Sequence, residues 1–239
     1  LIAGLLARQY LTGDASVTRS EVVTARGQQS RVVLPDKSEV LLNFDSKLSY
    51  DSRYGSRNRE VIMEGQAFFD IAKNRKLPFR IKTGMVELAV LGTSFDVNAY
   101  PDYDRVQVSV YTGAVEMKVS GHKQLTLTLK AGEKADFNSK TMRIVKTGFN
   151  TNDQKSWRNG VLHFKDTGME EVLRQLSRKY NIDIVVNDPK VYESVFTATI
   201  RDESYDEVFR LIEYSCRLKC EVDPTLAADN SARITVSVN

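Results

Sequence analysis

At 239 residues, with 41% hydrophobic and 27% charged side chains, the chain can bury a core in one large domain or two modest ones, which excludes general disorder. Lys and Arg total 34 against 31 Asp and Glu, and the net charge of +3 is spread along the chain, so the composition indicates no polyanionic partner. Two short basic clusters, RYGSRNR at 53–59 and KNRK at 73–76, lie between strand-like runs and are interpreted as solvated turns rather than a nucleic-acid patch.

The chain opens with LIAGLLA at residues 1–7, a run of small and apolar residues that ends at Arg8. This run is far shorter than the roughly 20 residues needed to cross a bilayer. No basic region precedes it, as a signal peptide would require. The run is typical of either the trimmed end of a transmembrane helix or an ordinary amphipathic start.

Residues 17–150 show the period-two alternation of β-strands. One side of the clearest run carries Val61, Met63, Gly65, Ala67, Phe69 and Ile71. Turn signals such as Pro35-Asp36 and Thr112-Gly113 separate successive runs of this kind. The pattern predicts an all-β N-terminal domain, built either as a sandwich or as a solenoid-like stack.

The stretch LGTSFDVNAY at 91–100 places a Gly-Thr-Ser corner between two apolar runs. Apolar residues occupy even positions before the corner and odd positions after it, so one residue is out of step at Gly92-Thr93, as at a β-bulge or a sharp bend. Ser94 and Asp96 fall on the polar side of the following strand, without the G-x-S-x-G pattern of a nucleophile elbow. We interpret the corner as structural rather than catalytic.

Residues 151–239 change to a helical period after Trp157. The predicted helix faces carry Met169, Val172, Leu173, Leu176 and Tyr180 in one segment and Tyr205, Val208, Phe209, Ile212 and Cys216 in the next. Capping boxes of the S/T-x-x-E type are predicted at the two starts, from Thr167 with Glu170 and from Ser204 with Glu207.

The two helical segments are related by an offset of 36 residues, as from Met169 to Tyr205. The same offset carries a strand-like run at 182–186 onto one at 218–222, and a last alternating strand follows at 232–238. This internal duplication of a β-α-β unit predicts a small α+β module with two helices on one sheet.

Nothing in the sequence specifies catalysis, a metal or a cofactor. Cys216 and Cys220 replace apolar positions of the first unit and are interpreted as buried fillers, with a disulfide left open if the compartment is oxidising. His122 and His163 have no His or Cys at metal-ligand spacing, and neither G-x-G-x-x-G nor a P-loop occurs. Trp157 is predicted to plug the junction between the domains rather than to stack on a sugar.

Several ordered segments closely resemble the periplasmic region of FecR-type anti-sigma factors. They are LPDKSEVLLNFDSKLSY (34–50), REVIMEGQAFFDIAKNRKLPFRI (59–81), VLGTSFDVNAY (90–100), VYTGAVEM (110–117) and LKAGEKADF (129–137). The runs at 157–184 and 196–215 look like the C-terminal domain of those proteins, which is similar to the secretin and TonB short N-terminal (STN) domain. One departure is Lys37, which stands where the family usually has Gly.

The resemblance implies a single-pass inner-membrane protein of a Gram-negative bacterium, with a cytoplasmic domain that holds a sigma factor of the extracytoplasmic-function (ECF) class. Residues 1–16 would be the end of the membrane helix and a linker, and the rest would lie in the periplasm. The implied partners are the N-terminal signalling domain of an outer-membrane TonB-dependent transporter, the sigma factor, and the site proteases that release it. No nucleic acid, cofactor or enzymatic activity is implied.

We expect the transporter domain to add a strand to a free sheet edge in the C-terminal module, because a small sheet of short strands leaves edges unpaired. The expected contact residues are Phe196, Thr197, Ala198, Thr199 and Ile200 on one strand and Ile234, Val236 and Val238 on the other.

The alternative function is carbohydrate binding by the β-domain. It requires an exposed aromatic platform near Tyr50, Tyr54, Tyr100 and Tyr103. A hydrolase is less well supported, because the sequence spells out no pair of converging carboxylates.

Overall fold

A computed structural model describes residues 17–149, 153–223 and 232–238 of the chain. The opening LIAGLLA segment, with its predicted membrane-helix remnant, lies outside the described residues. No helix among the described residues combines the length and apolar character needed to span a membrane.

Strands make up the ordered structure of residues 17–149, which confirms the predicted all-β domain. They are β1 (Arg19–Thr24), β2 (Ser30–Val33), β3 (Glu39–Leu42), β4 (Ser46–Asp51), β5 (Glu60–Asp70), β6 (Phe79–Thr83), β7 (Val86–Val90), β8 (Ser94–Ala99), β9 (Arg105–Thr112), β10 (Ala114–Val119), β11 (His122–Lys130), β12 (Glu133–Asn138) and β13 (Arg143–Gly148).

The long strand β5 belongs to two layers of sheet. Its first half pairs with β4 and, in parallel, with β6, and this layer runs β1-β4-β5-β6-β7-β10-β11. Its second half pairs with β3 and β8, and this layer runs β2-β3-β5-β8-β9-β12-β13. Apolar side chains from both layers form one buried cluster, so the sheet folds over a single core.

Gly65 lies in the middle of β5, where the strand passes from one layer to the other. Its φ of +95° is a backbone conformation that side chains with a Cβ rarely adopt. A Cβ there would lie 2.3 Å from Ser46 Oγ and 2.8 Å from Ser46 Cα. The Ser46 hydroxyl instead accepts a hydrogen bond of 2.9 Å from the Gln66 amide. The close approach of the two strands therefore requires glycine.

The corner at 91–100 is structural, as predicted. It connects β7 in one layer to β8 in the other, and Gly92 has a φ of +149° with Lys73 Cα only 2.7 Å from where its Cβ would be. Thr93 is buried and donates a hydrogen bond of 2.9 Å to the carbonyl of Ala114. The register shift against β9 falls slightly later, between Ser94 and Phe95.

The interpretation of the two basic clusters as solvated turns is wrong for Arg59. This side chain is 1% exposed, and its guanidinium donates to the carbonyls of Leu77 (2.7 Å) and Ala72 (2.8 Å) and to Asp36 Oδ2 (3.0 Å). Arg59 therefore satisfies the buried polar groups where the two turns meet. The hydrogen bond from Arg59 helps to lower the pKa of Asp36, against the opposing effect of burial.

The C-terminal module contains β14 (Leu162–Gly168), α1 (Met169–Tyr180), β15 (Ile182–Val186), β16 (Val195–Ile200), α2 (Tyr205–Cys216), β17 (Leu218–Asp223) and β18 (Ala232–Val238). A 3₁₀ helix at Asp153–Asn159 precedes β14, and another at Pro189–Glu193 precedes β16. The two α-helices have bounds 36 residues apart, and each ends at a left-handed residue, Asn181 or Arg217. The predicted duplication is confirmed by these elements.

The expectation of one sheet beneath the two helices is wrong, because the module has two sheets. The first strands of the two units pair with each other as β14-β16, and the second strands are joined through the added strand in the order β15-β18-β17. Equivalent strands of the two units therefore lie in the same sheet. The helix α1 packs against β14 and β15, and α2 packs against β16 and β17, so each helix contacts both sheets.

Only one of the two predicted capping boxes forms at the described helix starts. Ser204 and Glu207 make the reciprocal hydrogen bonds of the box at α2. At α1 the N-cap is Gly168, without a side-chain cap. The Thr167 hydroxyl accepts from the Lys165 amide instead, within the bulge of β14.

We predict that Gly65→Ala lowers the free energy of unfolding by more than about 3 kcal/mol, because it adds a steric clash to an unfavourable φ. Gly84→Ala is the matched control: its φ is also positive, at +51°, but nothing lies within 4 Å of the added Cβ, so we expect a loss of about 1 kcal/mol. Urea unfolding of both variants measures the difference. Equal losses would show that the approach of Ser46 does not constrain this position.

Candidate functional site

The described residues contain no cluster of three or more His, Cys, Asp or Glu side chains that could hold a metal ion. His122 lies on β11 of the β-domain and His163 on β14 of the C-terminal module. The candidate functional features are therefore surfaces and the junction between the domains, rather than a constellation of metal ligands.

Strand β16 carries the first set of predicted partner residues. It pairs with β14 alone, so its other edge is unpaired among the described residues. Phe196 and Ile200 point into the module core and are each 1% exposed. Thr197 and Thr199 are exposed on the other face, and Val195 at the start of the strand is 59% exposed. The edge and the outward face of β16 are thus accessible to a partner.

Strand β18 carries the second set, and the structure contradicts its expected free edge. It lies between β15 and β17, parallel to the former and antiparallel to the latter. Both edges are therefore occupied at Ile234 and Val236, whereas Val238 pairs only with Leu218 of β17. Ile234 and Val236 are also completely buried, because their side chains contribute to the module core. Within the described part of the chain, the unpaired edges of this sheet belong to its outer strands β15 and β17.

Helix α2 presents apolar side chains that the sequence reasoning missed. Tyr214 is 89% exposed and Leu211, one turn earlier, is 40% exposed. Their positions lie off the predicted core face of the helix, and that departure from the periodic pattern is the signal that could have found them. The helix that carries them packs beside β16 and β17.

The two cysteines are free thiols that pack against the module core, and each is half-buried. Burial raises the pKa of Cys216. Burial, with the nearby Glu213 carboxylate and Cys216, raises the pKa of Cys220 to about 12. A protonated thiol is a poor nucleophile and a poor metal ligand, which agrees with the interpretation of both as apolar fillers.

Arg158 forms one polar contact across the junction between the two domains. Its guanidinium lies 3.5 Å from the centroid of the Phe68 ring and 4.3 Å from that of Tyr111. It also lies 3.5 Å from Asp96 Oδ2, an oxygen that accepts a hydrogen bond from the Tyr111 hydroxyl. Asp96, which the sequence placed in a structural corner, therefore anchors the C-terminal module.

The environment of Asp96 opposes its ionisation. The residue is 5% exposed, and burial raises its pKa to about 6, against the lowering effects of Arg158 and Tyr111. Trp157 also lies close enough to lower this pKa, although the buried Trp157 Nε1 and Asp96 Oδ1 have no hydrogen bond of good geometry. The carboxyl group consequently changes charge in the mildly acidic range.

Arg178 of α1 forms the second contact. Its guanidinium lies 3.8 Å from the ring centroid of Tyr100 and donates to the hydroxyl of Tyr103 at 3.1 Å. It also donates to Asp102 and lies 3.5 Å from Asp45. The Arg178 side chain is only 9% exposed, so a cation from one domain is enclosed by rings and carboxylates of the other.

The aromatic platform required by the carbohydrate-binding alternative is absent at the predicted rings. Tyr54 and Tyr100 are buried, at 6% and 5% exposure, and Tyr50 and Tyr103 are half-buried. Burial of Tyr100 and Tyr103 follows from their contacts with Arg178. Trp157 does lie at the junction, where its carbonyl accepts a hydrogen bond of 3.0 Å from Gln29 of the β-domain.

We predict that Arg178→Met lowers the free energy of unfolding by about 2 kcal/mol, through loss of the cation–π and charged hydrogen bonds. The carboxylates left behind are half-exposed, so water compensates them in part. We further expect calorimetry to resolve two unfolding transitions, because the domains lose a main contact. Arg210→Met, at an exposed position of α2, is the control and should change stability by less than about 1 kcal/mol. An unchanged single transition in Arg178→Met would contradict this role.

We predict a pH-dependent difference between the wild type and Asp96→Asn. Since burial raises the folded-state pKa to about 6 from 3.8, the folded protein retains a proton that the unfolded chain has lost. The stabilising contribution of protonated Asp96 is thus complete below about pH 4 and is lost as the pH rises through 6. Relative to Asp96→Asn, the wild type should lose on the order of 3 kcal/mol between pH 4 and pH 7, measured by urea unfolding. A difference that grows with pH would show that Arg158 lowers the pKa instead.

The comparisons with known proteins match both domains. A family model described as FecR protein matches residues 20–116, and one described as FecR, C-terminal, matches residues 161–226. None of the curated proteins compared with the chain matches it.

Two crystal structures from Parabacteroides distasonis ATCC 8503, each described as that of a candidate anti-sigma factor, are similar to most of the chain. One has a TM-score of 0.81 and 29% identity and covers 93% of this chain and 100% of its own. The other has a TM-score of 0.81 and 28% identity and covers 92% of this chain and 99% of its own. With two FecR models matching more than half of the residues and the same fold in a protein described as a candidate anti-sigma factor, the chain belongs to the FecR family of anti-sigma factors.

Proposed function

We propose that this chain is the signal-receiving, periplasmic region of a membrane-anchored anti-sigma factor that relays the loading of an outer-membrane TonB-dependent transporter to a cytoplasmic ECF-type sigma factor. The N-terminal signalling domain of the transporter contacts the C-terminal module, and the altered contact leads to proteolysis of the anti-sigma factor and release of the sigma factor. The region itself acts by binding and carries out no catalysis.

Membership of the FecR family supports the regulatory role, and similarity to the Parabacteroides protein supports it for the whole two-domain arrangement. The sigma factor is the partner that an anti-sigma factor family implies. Binding of the transporter domain and cleavage by the proteases are the parts of this proposal that go beyond family membership.

The single observation that favours a strand-adding contact is the unpaired edge of β16. An edge strand offers a row of backbone donors and acceptors to which an extended partner can hydrogen-bond. The outward face of this strand, with Val195, Thr197 and Thr199, is exposed, and so the partner strand can approach without unfolding the module. Tyr214, on the helix that packs beside β16, is exposed and is of the residue type that commonly dominates binding energy at protein interfaces.

The buried members of β16 are unsuitable for testing this contact. Aspartate at Phe196 or Ile200 would place a charge in the module core, since both side chains are 1% exposed. Loss of binding in such a variant would reflect unfolding. A charge at an exposed position of the strand leaves the core intact and discourages strand addition.

We predict that Val195→Lys weakens binding of the transporter signalling domain at least tenfold, measured by calorimetry with the domain encoded beside this protein. Val145→Lys is the matched control, because Val145 is 57% exposed on β13 of the β-domain against 59% for Val195. The control should bind like the wild type, and circular dichroism should show both variants folded.

Other outcomes identify a different contact. Equal binding by both variants would exclude the start of the β16 edge, and parallel variants at Val185 on β15 and Val222 on β17 would then test the remaining sheet. Loss of binding only in Val145→Lys would place the contact on the β-domain. No binding by the wild type would reject the transporter domain as the partner.

A further inference from the structure

A row of amide side chains crosses the outer face of the second layer of the β-domain. Gln66 on β5 is paired in register with Asn98 on β8, and Asn98 with Gln107 on β9. Asn43, just after β3, extends the row by donating from its side chain to Gln66 Oε1 at 2.8 Å. These four residues, the amide row, run beneath the C-terminal module.

The amide row forms one wall of a cavity of about 550 Å³ at the domain junction. The opposite wall comes from the C-terminal module, through Trp157, His163 and Gln175. Small-molecule sites have volumes of roughly 300–1,000 Å³ and are frequent at domain interfaces. The cavity therefore has the size and place of a ligand site, and both domains contribute to it.

The amide row has hydrogen-bonding capacity that the described residues do not use. Asn98 Oδ1 is buried without a hydrogen-bond partner. Gln107 donates to Asp136 Oδ1 at 2.8 Å, which leaves its own carbonyl oxygen without a partner among the described hydrogen bonds. A buried polar atom without a partner costs about 1–3 kcal/mol, so a polar occupant of the cavity would be stabilised there. Each side-chain amide can both donate and accept hydrogen bonds. Hydroxyl groups can do the same, so a ligand with several hydroxyls can hydrogen-bond along the row.

The charge of the lining favours an anion. Arg105 is paired with Glu171 at 3.2 Å, and Arg178 is held by Asp102 and Asp45. Lys134 of β12 and Lys165 of β14 also line the cavity and have no ion pair with a described residue. Two ammonium groups, one from each domain, are thus available to a carboxylate.

We propose that the junction cavity binds a small acidic saccharide, a mono- or disaccharide that carries a carboxylate. Its hydroxyls hydrogen-bond to the amide row, an apolar ring face packs on the Trp157 indole, and its carboxylate pairs with Lys134 and Lys165. This site is a half-open polar cavity at the domain junction, unlike the exposed tyrosine platform, which is absent at the predicted rings. Because the ligand contacts both domains, its binding stabilises their present arrangement. The inference is independent of the transporter contact, which lies on β16.

The test uses Trp157 as a reporter, since it is the one tryptophan in the sequence. Glucuronic, galacturonic, N-acetylneuraminic and N-acetylmuramic acids are each added to the complete chain, and binding is measured by tryptophan fluorescence and by calorimetry. Glucose tests a sugar ring without a carboxylate, and sodium acetate tests a carboxylate without a sugar ring. We expect at least one sugar acid to shift the emission and to bind at least tenfold more tightly than glucose or acetate.

Two variants report on the two halves of the proposed contact. Asn98→Leu removes the unpartnered amide, and Lys134→Gln with Lys165→Gln removes both cations; each should weaken binding of the sugar acid at least tenfold. Lys76→Gln with Lys190→Gln is the control of equal charge, because neither residue lines the cavity. If Asn98→Leu does not fold, the lysine pair still decides the outcome, since Lys165 is exposed and Lys134 half-buried.

Three results would overturn the proposal. The first is no binding of any sugar acid at millimolar concentration. The second is acetate binding as tightly as the sugar acids, which would indicate an anion site without saccharide recognition. The third is equal affinity in the control and the lysine double variant. Failure of the transporter contact would leave all these measurements unchanged, so the two proposals are tested separately.

Discussion

Two arginines of the C-terminal module, Arg158 and Arg178, insert into aromatic sites on the β-domain, and the arrangement of the molecule depends on these contacts. Each guanidinium lies over a ring within 4 Å of its centroid and near at least one carboxylate. Arginine suits this role because its planar, weakly hydrated cation can stack and hydrogen-bond at once. An apolar junction would hold the domains without these directional requirements, whereas here their relative orientation is specified by a few polar contacts.

That orientation decides which surfaces a partner or ligand can reach. It places the amide row in the wall of a half-open cavity between the domains and leaves the edge of β16 and the outer face of α2 exposed among the described residues. The proposed contact strand β16 pairs with β14, its one paired neighbour among the described residues, and β14 also lines the cavity through His163 and Lys165. The proposed partner contact on β16 and the proposed ligand site beside β14 thus involve the two neighbouring strands of one sheet, in which Thr199 and His163 are directly paired.

Structural elements that depend on local residue spacing were predicted correctly from the sequence, whereas the pairing of strands from distant segments was not. The 36-residue duplication gave the bounds of both helices, and the Ser204 capping box formed as expected, because both depend on local spacing. The split into two sheets was missed, since a strand's partner depends on long-range packing and not on its own alternation. The same reason explains the wrong expectation for β18, whose pattern does not distinguish a central strand from an edge.

The sequence by itself determined the all-β domain, the duplicated module, the structural corner at Gly92 and the family resemblance, because each is written in residue spacing or in short ordered segments. Only the tertiary structure showed which charged residues are buried. Arg59, Asp96 and Arg178 look like ordinary surface residues in the sequence, yet all three are buried. A charge is tolerated inside a protein only where partners from other segments surround it, and those partners are brought together by folding alone.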